Sequence, residues 1–351
     1  MKLPDPLPNL DQIQQAQSLV YRFMPPTPQY SWPLINQRLG AEAWIKHENH
    51  TPVGAFKVRG ALLCATWLKQ TQPSLTGLVA ATRGNFGQGV AMAARLLGLK
   101  AIIVVPYSNS VEKNRAMIAQ GAELLQHGED FQESLEFART FAAEQGYAIV
   151  ESFHEQLILG TATYALEFLQ GAPELERIYV PIGLGSSICG MAAARNALQL
   201  RTEIVGVVSA MCPAYALSFQ QHRLVEAPAR TLISDGLACR RPNEQALEII
   251  WKNVARIVEV SDAEVADAIG FYYQDTHNVV EGAGAASLAA AMKEKGGNRA
   301  KRIGLVVTGG NIDRDLYLAA LTGTFQKDRH VPRGEAAMRG ERAVMSGEMK
   351  S

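Results

Sequence analysis

The sequence has little cysteine, no excess of charge of one sign and no long apolar run. The four cysteines among its 351 residues are widely spaced and form no CxxC pair; they are Cys64, Cys189, Cys212 and Cys239. This spacing argues against a disulfide framework or a zinc site and predicts reduced, mostly buried thiols in a cytoplasmic protein. Lysine plus arginine equals aspartate plus glutamate at 34 each, so no global positive charge favours nucleic acid as a partner.

The apolar residues are too dispersed for a membrane protein. No charge-free apolar run reaches spanning length, and the first six residues do not resemble a signal peptide, so we expect no membrane partner. Hydrophobic residues make up 47% of the chain and charged residues 19%, which is typical of a soluble globular protein. A chain of this length can bury a large core, and we expect it to form two lobes.

Short apolar runs alternate with longer amphipathic stretches along most of the chain. The runs predict strands at 43–46, 78–81, 101–105, 123–125, 148–150, 177–180, 204–208, 257–260 and 303–307. The amphipathic stretches predict helices at 8–23, 31–39, 89–97, 110–120, 131–145, 191–200 and 213–222, and others after residues 57 and 261. Strands this short and apolar, separated by helices, indicate an α/β fold with parallel sheets covered on both faces.

The segment from His47 to Ala61 is the most informative stretch. Pro52 and Gly54 interrupt a strand pattern, and helical spacing begins at Val58, so Lys57 lies where a loop enters a helix. The positive end of a helix dipole, together with partial desolvation, lowers the pKa of an amine and makes it a better nucleophile. The alternative is an ordinary solvated lysine, the usual state of this residue type.

This segment resembles the lysine-bearing segment of fold-type II enzymes that use pyridoxal 5′-phosphate (PLP), in the branch of threonine/serine dehydratases and serine racemase. The common form is Glu-Asn-x-x-Pro-x-Gly-Ser-Phe-Lys-x-Arg-Gly-Ala, and this chain differs in having Ala55 in place of the serine. The resemblance extends from about residue 26 to residue 321. It implies that Lys57 holds PLP as a Schiff base, with Phe56 beside it in the cofactor site.

A first glycine-containing loop, 80–89, leaves a predicted strand and opens a helix. Such a loop lets backbone N–H groups converge on an anion, although a tight turn that binds nothing has the same pattern. It resembles the family's Ser-x-Gly-Asn-His-x-Gln-Gly loop. The resemblance implies that the substrate carboxylate is bound by Thr82, Gly84, Asn85 and Gln88, and that Asn85 also contacts the 3′-oxygen of PLP; Arg83 is a further candidate for substrate binding.

A second loop, 181–190, also joins a strand to a helix. It is not a dinucleotide fingerprint, because the third glycine would fall at Ile188, and it lacks the Gly-Lys-Ser/Thr of a P-loop. The remaining interpretation is a cradle for one phosphate, which the resemblance assigns to PLP. Its members are Gly183, Leu184, Gly185, Ser186 and Ser187, where the family usually has four successive glycines.

A third loop, 306–311, resembles the family's Ser-Gly-Gly-Asn after its final strand. The resemblance implies that Thr308 is the partner of the PLP pyridine nitrogen. A neutral hydroxyl does not favour a protonated ring as an aspartate would, which suits β-elimination. The run 281–285 also matches a family segment in which the glutamate, here Glu281, lies near the ring. A charge at a helix N-terminus explains Glu281 equally well.

The resemblance implies a tryptophan synthase β-like fold with two lobes, each containing an open, mostly parallel sheet flanked by helices. We expect residues 1–75 and 156–325 to form a large PLP-binding lobe, 76–155 a small mobile lobe that binds the substrate carboxylate, and 326–351 a disordered tail. The implied reaction is dehydration and deamination of a β-hydroxy-α-amino acid to a 2-oxo acid and ammonia. A homodimer is also expected.

The chain departs from the family at two positions, one of which bears on racemisation and the other on metal binding. Arg83 replaces the serine that acts as second base in serine racemases, and arginine is too basic for that role. Arg83 would instead bind a second substrate carboxylate or form a salt bridge within its lobe. Of these two alternatives, the salt bridge is slightly favoured. Ser209 follows Val208 where cation-binding members have an acidic residue, so we expect no metal there. A β-replacement synthase, a racemase and a non-catalytic PLP-binding protein remain alternatives.

Overall fold

The computed structural model describes residues 7–297 and 300–325, so the tail predicted at 326–351 lies outside the described residues. The strands in this part of the chain are β1 Gln29–Ser31, β2 Glu42–His47, β3 Gly77–Ala81, β4 Lys100–Val105, β5 Glu123–Gln126, β6 Ala148–Ile149, β7 Arg177–Pro181, β8 Glu203–Ser209, β9 Arg256–Val260 and β10 Arg302–Val307.

The helices of the described residues alternate with these strands. They are α1 Leu10–Val20, α2 Pro33–Leu39, α3 Lys57–Thr71, α4 Asn85–Leu96, α5 Val111–Ala119, α6 Phe131–Gln145, α7 Glu155–Gly171, α8 Ser186–Ala197, α9 Ala214–Gln221, α10 Glu244–Asn253, α11 Asp262–Thr276, α12 Gly282–Lys293 and α13 Arg314–Leu321. Two short 3-10 helices, Glu48–His50 and Asp235–Leu237, lie in loops.

The strands form two sheets. The larger has the order β1-β2-β10-β7-β8-β9 and the smaller the order β5-β4-β3-β6. Every pairing is parallel except that of β1 with β2; in the centre of the larger sheet, Leu305 of β10 pairs with Ile45 on one side and Tyr179 on the other. The predicted α/β class with open, mostly parallel sheets is confirmed.

The central strands are apolar because helices cover both of their faces. In β4, all residues from Ala101 to Val105 are buried, and β3 is buried over its whole length. A strand that is buried on both faces has no solvent-facing side and needs no polar alternation. The strands of the smaller sheet all lie between residues 77 and 149, whereas the larger sheet takes its strands from 29–47 and 177–307.

Helix α3 lies between helices α4 and α7, with which it packs closely. At the crossing with α7, a Cβ atom added to Gly160 would collide with the backbone of Gly60. The absence of side chains at these two positions allows the helix backbones to approach each other. Lys57, the first residue of α3, is therefore positioned by a helix that is fixed on two sides.

Several helix boundaries differ from the predictions. The helix expected from Ser31 begins at Pro33, because Gln29–Ser31 pair with β2. The helix expected at 89–97 begins at Asn85. Helix α7 was not predicted, since it is apolar on nearly all sides and lacks the one-sided pattern of a surface helix. Helices α10 and α13 were also missed.

No helix within the described ranges is both long enough and apolar enough to cross a membrane.

Candidate active site

Four connections after parallel strands converge at one side of the molecule. The lysine segment follows β2, the first loop follows β3, the second follows β7 and the third follows β10. Strands β2, β10 and β7 are neighbours in the larger sheet, so three of these connections leave adjacent carboxyl ends. In open α/β sheets, ligands bind at this edge.

The lysine segment is fastened to the third loop by backbone hydrogen bonds. Phe56 N donates to Thr308 O over 3.0 Å, and Gly310 N donates to Gly54 O over 2.9 Å. Between them, Ala55 and Gly309 form an antiparallel bridge. Ala55 is fully buried at this bridge, so a small side chain is accommodated at the position where the family has serine.

Lys57 is the first residue of α3, as predicted. Burial among the surrounding groups lowers the pKa of its ammonium to about 8, although the negative charge of Glu281 opposes this shift. The Lys57 Nζ lies 4.7 Å from the centre of the Phe56 ring. An amine with this pKa has a substantial neutral fraction near pH 8 and can act as a nucleophile or base.

The first loop closes on itself and then opens α4. Thr82 Oγ1 accepts a hydrogen bond from Gly84 N over 3.1 Å. Asn85 donates through Nδ2 to both carboxylate oxygens of Glu281, over 2.8 and 3.0 Å. The Nε2 of Gln88 is buried without a hydrogen-bond partner. Thr82, Asn85 and Gln88 therefore lie at the junction of this loop with α4, and Arg83 is half-buried between Thr82 and Gly84.

Asn311 links three of the connections. Its Nδ2 donates to Asn85 Oδ1 and to Val53 O, each over 2.8 Å. It thereby joins the third loop to both the first loop and the lysine segment. No role was expected for Asn311 from the sequence, although it stands in the Thr-Gly-Gly-Asn motif that identified the loop.

Glu281 is buried at the centre of these contacts. Burial raises the pKa of its carboxyl to about 7, and the nearby Asp235 adds to the shift, whereas Lys113, Asn85 and Lys57 oppose it. Glu281 precedes α12, but its side chain makes no capping hydrogen bond to that helix. The structure therefore places Glu281 with Asn85 and Lys57 and gives it no capping role.

We expect the Glu281→Gln variant to change how the stability of the PLP-free protein depends on pH. Because the folded protein holds this proton up to about pH 7 and the unfolded chain releases it near the ordinary glutamate pKa, native stability should fall as pH rises between the two values. The glutamine variant should lack this contribution. Urea unfolding at several pH values measures it, with the exposed Glu248→Gln as control; equal slopes in all three proteins would contradict the expectation.

The second loop presents free backbone donors at the start of α8. Gly185 has φ +102°, and a Cβ atom there would lie 2.7 Å from Ala246 Cβ, so this position requires glycine. Among the described residues, no protein acceptor uses the N–H groups of residues 183–187. Ser187 Oγ is held by the buried Tyr164 Oη at 2.6 Å. Unpaired N–H groups at a helix N-terminus form an anion site.

The third loop holds a hydroxyl without a partner. Thr308 is 4% exposed, and its Oγ1 is buried with no hydrogen bond. Buried polar atoms are normally paired, so an unpaired one at a ligand cleft indicates a missing partner. A phosphate at the second loop and a ring nitrogen at Thr308 would satisfy both sets of groups. The residues therefore fit PLP.

Two charged residues of the site were missed by the sequence analysis. Lys113, on α5, forms an ion pair with Asp235, which lies in a 3-10 helix. The aliphatic part of Lys113 packs so closely on Gly84 that a Cβ atom there would lie 2.8 Å from Lys113 Cδ. Neither residue belongs to a glycine motif, and 122 positions separate them, so no local pattern could have shown the pair.

The residues described by the structure contain no group of three or more histidine, cysteine, aspartate or glutamate side chains placed to hold a metal ion. Ser209 ends β8, and its Oγ accepts a hydrogen bond from Met211 N over 3.2 Å.

Comparison with known proteins agrees with this geometry. Residues 20–309 match the family described as pyridoxal-phosphate dependent enzyme. An L-threonine ammonia-lyase of Geobacter sulfurreducens is 35% identical over 281 residues, which cover 80% of this chain and 69% of that protein. An L-threo-3-hydroxyaspartate ammonia-lyase of Saccharomyces cerevisiae is 30% identical over 318 residues, covering 90% and 97%.

Among solved structures, a pyridoxal 5′-phosphate-dependent aspartate racemase superimposes with a TM-score of 0.83 at 27% identity, covering 89% of this chain and 98% of that one. The family match spans most of the chain, and the two relatives cover 80% and 90% of it. The chain therefore belongs to the pyridoxal-phosphate dependent enzymes, in the threonine/serine dehydratase branch of fold type II.

Proposed function

We propose that this protein is an ammonia-lyase that dehydrates and deaminates a β-hydroxy-α-amino acid to a 2-oxo acid and ammonia. The observation that supports the proposal most directly is the amine of Lys57, with a pKa lowered to about 8, among loops with free anion donors and an unpaired hydroxyl. The names of the Geobacter and yeast relatives describe this type of reaction.

We assign the cofactor contacts to five sets of residues. Lys57 would hold the cofactor as a Schiff base, with Phe56 packed beside it, and the loop 183–187 would hold the phosphate through Gly183, Leu184, Gly185, Ser186 and Ser187. Thr308 would pair with the ring nitrogen, Asn85 would contact the 3′-oxygen, and Glu281 would lie near the ring. PLP, when bound, supplies the electron sink that stabilises negative charge at the substrate Cα.

The chain's own contribution is to bind, orient and move a proton. Lys57, as a neutral amine, removes the proton from Cα as general base. Its lowered pKa makes this form available near neutrality. Thr308 is a neutral partner and does not stabilise a protonated ring nitrogen. The ring is therefore a weaker electron sink, which suits β-elimination.

We assign the substrate carboxylate to the loop that opens α4. Thr82, Gly84, Asn85 and Gln88 supply hydroxyl, backbone and amide groups, and Gln88 Nε2 is buried without a partner. Arg83 adjoins them. We propose that this loop moves with a small lobe, 76–155, over a large lobe formed by 1–75 and 156–325; the smaller sheet lies within the first range.

The test is a substrate panel of serine, threonine, hydroxyaspartate and phenylserine, with release of 2-oxo acid and ammonia as the readout. Equal amounts of both products from at least one substrate are expected. A β-replacement synthase would release little 2-oxo acid until a nucleophilic thiol was added. A non-catalytic PLP-binding protein would be coloured and release nothing, and either result would contradict the proposal.

The racemase alternative is favoured by the similarity to solved racemase structures, of which the aspartate racemase is one. We expect the native protein to form no measurable D-isomer, because racemisation needs a base on each face of Cα and Arg83 is too basic to serve as one. Arg83→Ser should allow some D-serine formation, measured by chiral chromatography. Arg83→Ala is the matched control without a hydroxyl. Rapid D-isomer formation by the native protein would contradict this assignment.

We propose that the protein binds no divalent cation at the end of β8. Ser209 stands there in place of the acidic residue of cation-binding family members. Treatment with EDTA is expected to leave the activity and the melting temperature nearly unchanged. A large loss that Mg²⁺ or Ca²⁺ restores would show that this expectation is wrong.

We also propose a homodimer in the cytoplasm. We infer the dimer from the resemblance to the family. We infer the cytoplasmic location from the four cysteines, which are all free and buried in the part of the chain that the structure describes. Light scattering at several concentrations would test the dimer.

A further inference from the structure

Tyr215 contacts the backbone of the phosphate-binding loop 183–187 from behind. It lies on α9 and is 1% exposed. Its Oη donates to Leu184 O over 2.9 Å and accepts from Asn243 N, at the start of α10, over 3.1 Å. The phenol is therefore fully used as donor and acceptor, and it ties the loop to α10.

The hydrogen bond to Leu184 determines the direction of the next N–H group. In a planar trans peptide, the carbonyl of one residue and the N–H of the next point in opposite directions. With Leu184 O held toward Tyr215, the N–H of Gly185 points away from the phenol. Without that donor, the peptide could rotate and present its carbonyl oxygen to an anion, which would repel it.

The surroundings of Gly185 leave little room for another arrangement. A Cβ atom there would lie 3.2 Å from Tyr215 Oη as well as 2.7 Å from Ala246 Cβ. At the other end of the loop, Tyr164 holds the Ser187 hydroxyl. Two buried phenols thus contact the loop, one through a side chain and one through the backbone.

We propose that Tyr215 is a positioning residue for the cofactor phosphate, because it fixes the Leu184–Gly185 peptide with its N–H available to the phosphate before PLP binds. This proposal rests on the cofactor site alone and is independent of the reaction that the protein catalyses. Burial raises the pKa of Tyr215 well above its usual value, so the phenol keeps its proton as a donor throughout the neutral range.

The test compares PLP with pyridoxal, which lacks the phosphate, as ligands of the apoprotein. Tyr215→Phe keeps the ring and removes only the hydroxyl. We expect its affinity for PLP to fall about tenfold, the usual effect of one hydrogen bond, while its affinity for pyridoxal stays unchanged. Tyr272→Phe is the matched control, since Tyr272 is also buried but lies on α11 and its Oη makes no hydrogen bond to the loop 183–187; it should leave both affinities unchanged.

Two results would overturn the proposal: unchanged affinity for PLP, or equal loss for both ligands, which would indicate a general structural effect. If Tyr215→Phe does not fold, the native apoprotein provides the test. The protein is labelled with ¹³C at the leucine carbonyls and with ¹⁵N at the glycine amides. NMR experiments that require both labels in one peptide then detect only Leu184–Gly185 and three other Leu–Gly pairs. On addition of PLP, the Gly185 N–H signal should shift strongly and the Leu184 carbonyl little; a large carbonyl shift would show that the peptide was not held in place.

Discussion

Lys57→Ala is expected to abolish the yellow colour of the protein and to lower the turnover by at least about a thousandfold, because one residue is both the attachment point and the base. The fold should be retained, since Lys57 is the first residue of α3 and that helix is held by its packing on α4 and α7. Absorption spectra and the rate of 2-oxo acid release measure both effects.

Borohydride reduction followed by peptide mapping identifies the attachment point directly. The native protein should carry the reduced cofactor on the peptide that contains Lys57. Lys252→Ala, which removes an exposed lysine on α10, is the control and should behave like the native protein. Labelling of the same peptide in Lys57→Ala, or of another peptide in the native protein, would refute the assignment.

Arg59→Met is expected to lower the free energy of unfolding much more than a substitution at an exposed ion pair. Arg59 is 0% exposed and forms ion pairs with Glu48 over 2.8 Å and with Glu167 over 2.6 Å. Lys46 pairs with Glu167 as well, so the cluster holds two positive and two negative side chains. Removal of one partner from a buried cluster leaves an uncompensated charge, and the cost is typically about 3–5 kcal/mol.

The pKa of Glu167 shows how much the cluster depends on its cations. Burial alone would raise this pKa, but Arg59 and Lys46 hold it below its ordinary value. A lowered carboxyl pKa contributes stability that is present above the unfolded-state value and is lost as the pH falls. Without Arg59 the pKa of Glu167 should rise, so the loss of stability in the variant should be greatest above the unfolded-state pKa and should shrink as the pH falls.

Urea unfolding of the PLP-free protein measures this loss. The control is Arg139→Met, because the ion pair of Arg139 with Glu151 is 50% and 38% exposed and should contribute no more than about 1 kcal/mol. Similar losses in the two variants would show that the buried cluster is not a major source of stability. Since Arg59 follows Lys57 by two residues on α3, weaker PLP binding should accompany the loss.

Much of this protein could be predicted from local patterns. Apolar runs identified most strands because strands buried on both faces have no polar alternation, and the loop-to-helix transition placed Lys57 at the first residue of α3. The glycine motifs located the three loops, since free backbone donors and close approaches require glycine at particular positions. Helix α7 was missed because a helix that is buried on most sides lacks the one-sided periodicity that local reasoning uses.

Other features depend on residues that are far apart in the sequence. Arg59 and Glu167 are 108 positions apart, Lys113 and Asp235 122 positions, and Asn85 and Glu281 196 positions. Leu184 and Tyr215 belong to different elements, and their hydrogen bond appears in no motif. The sequence by itself determined the fold class, the family and the loops to which we assign the site. Only the tertiary structure decided which polar groups pair within the site, because a hydrogen bond depends on distance and direction between atoms and not on spacing along the chain.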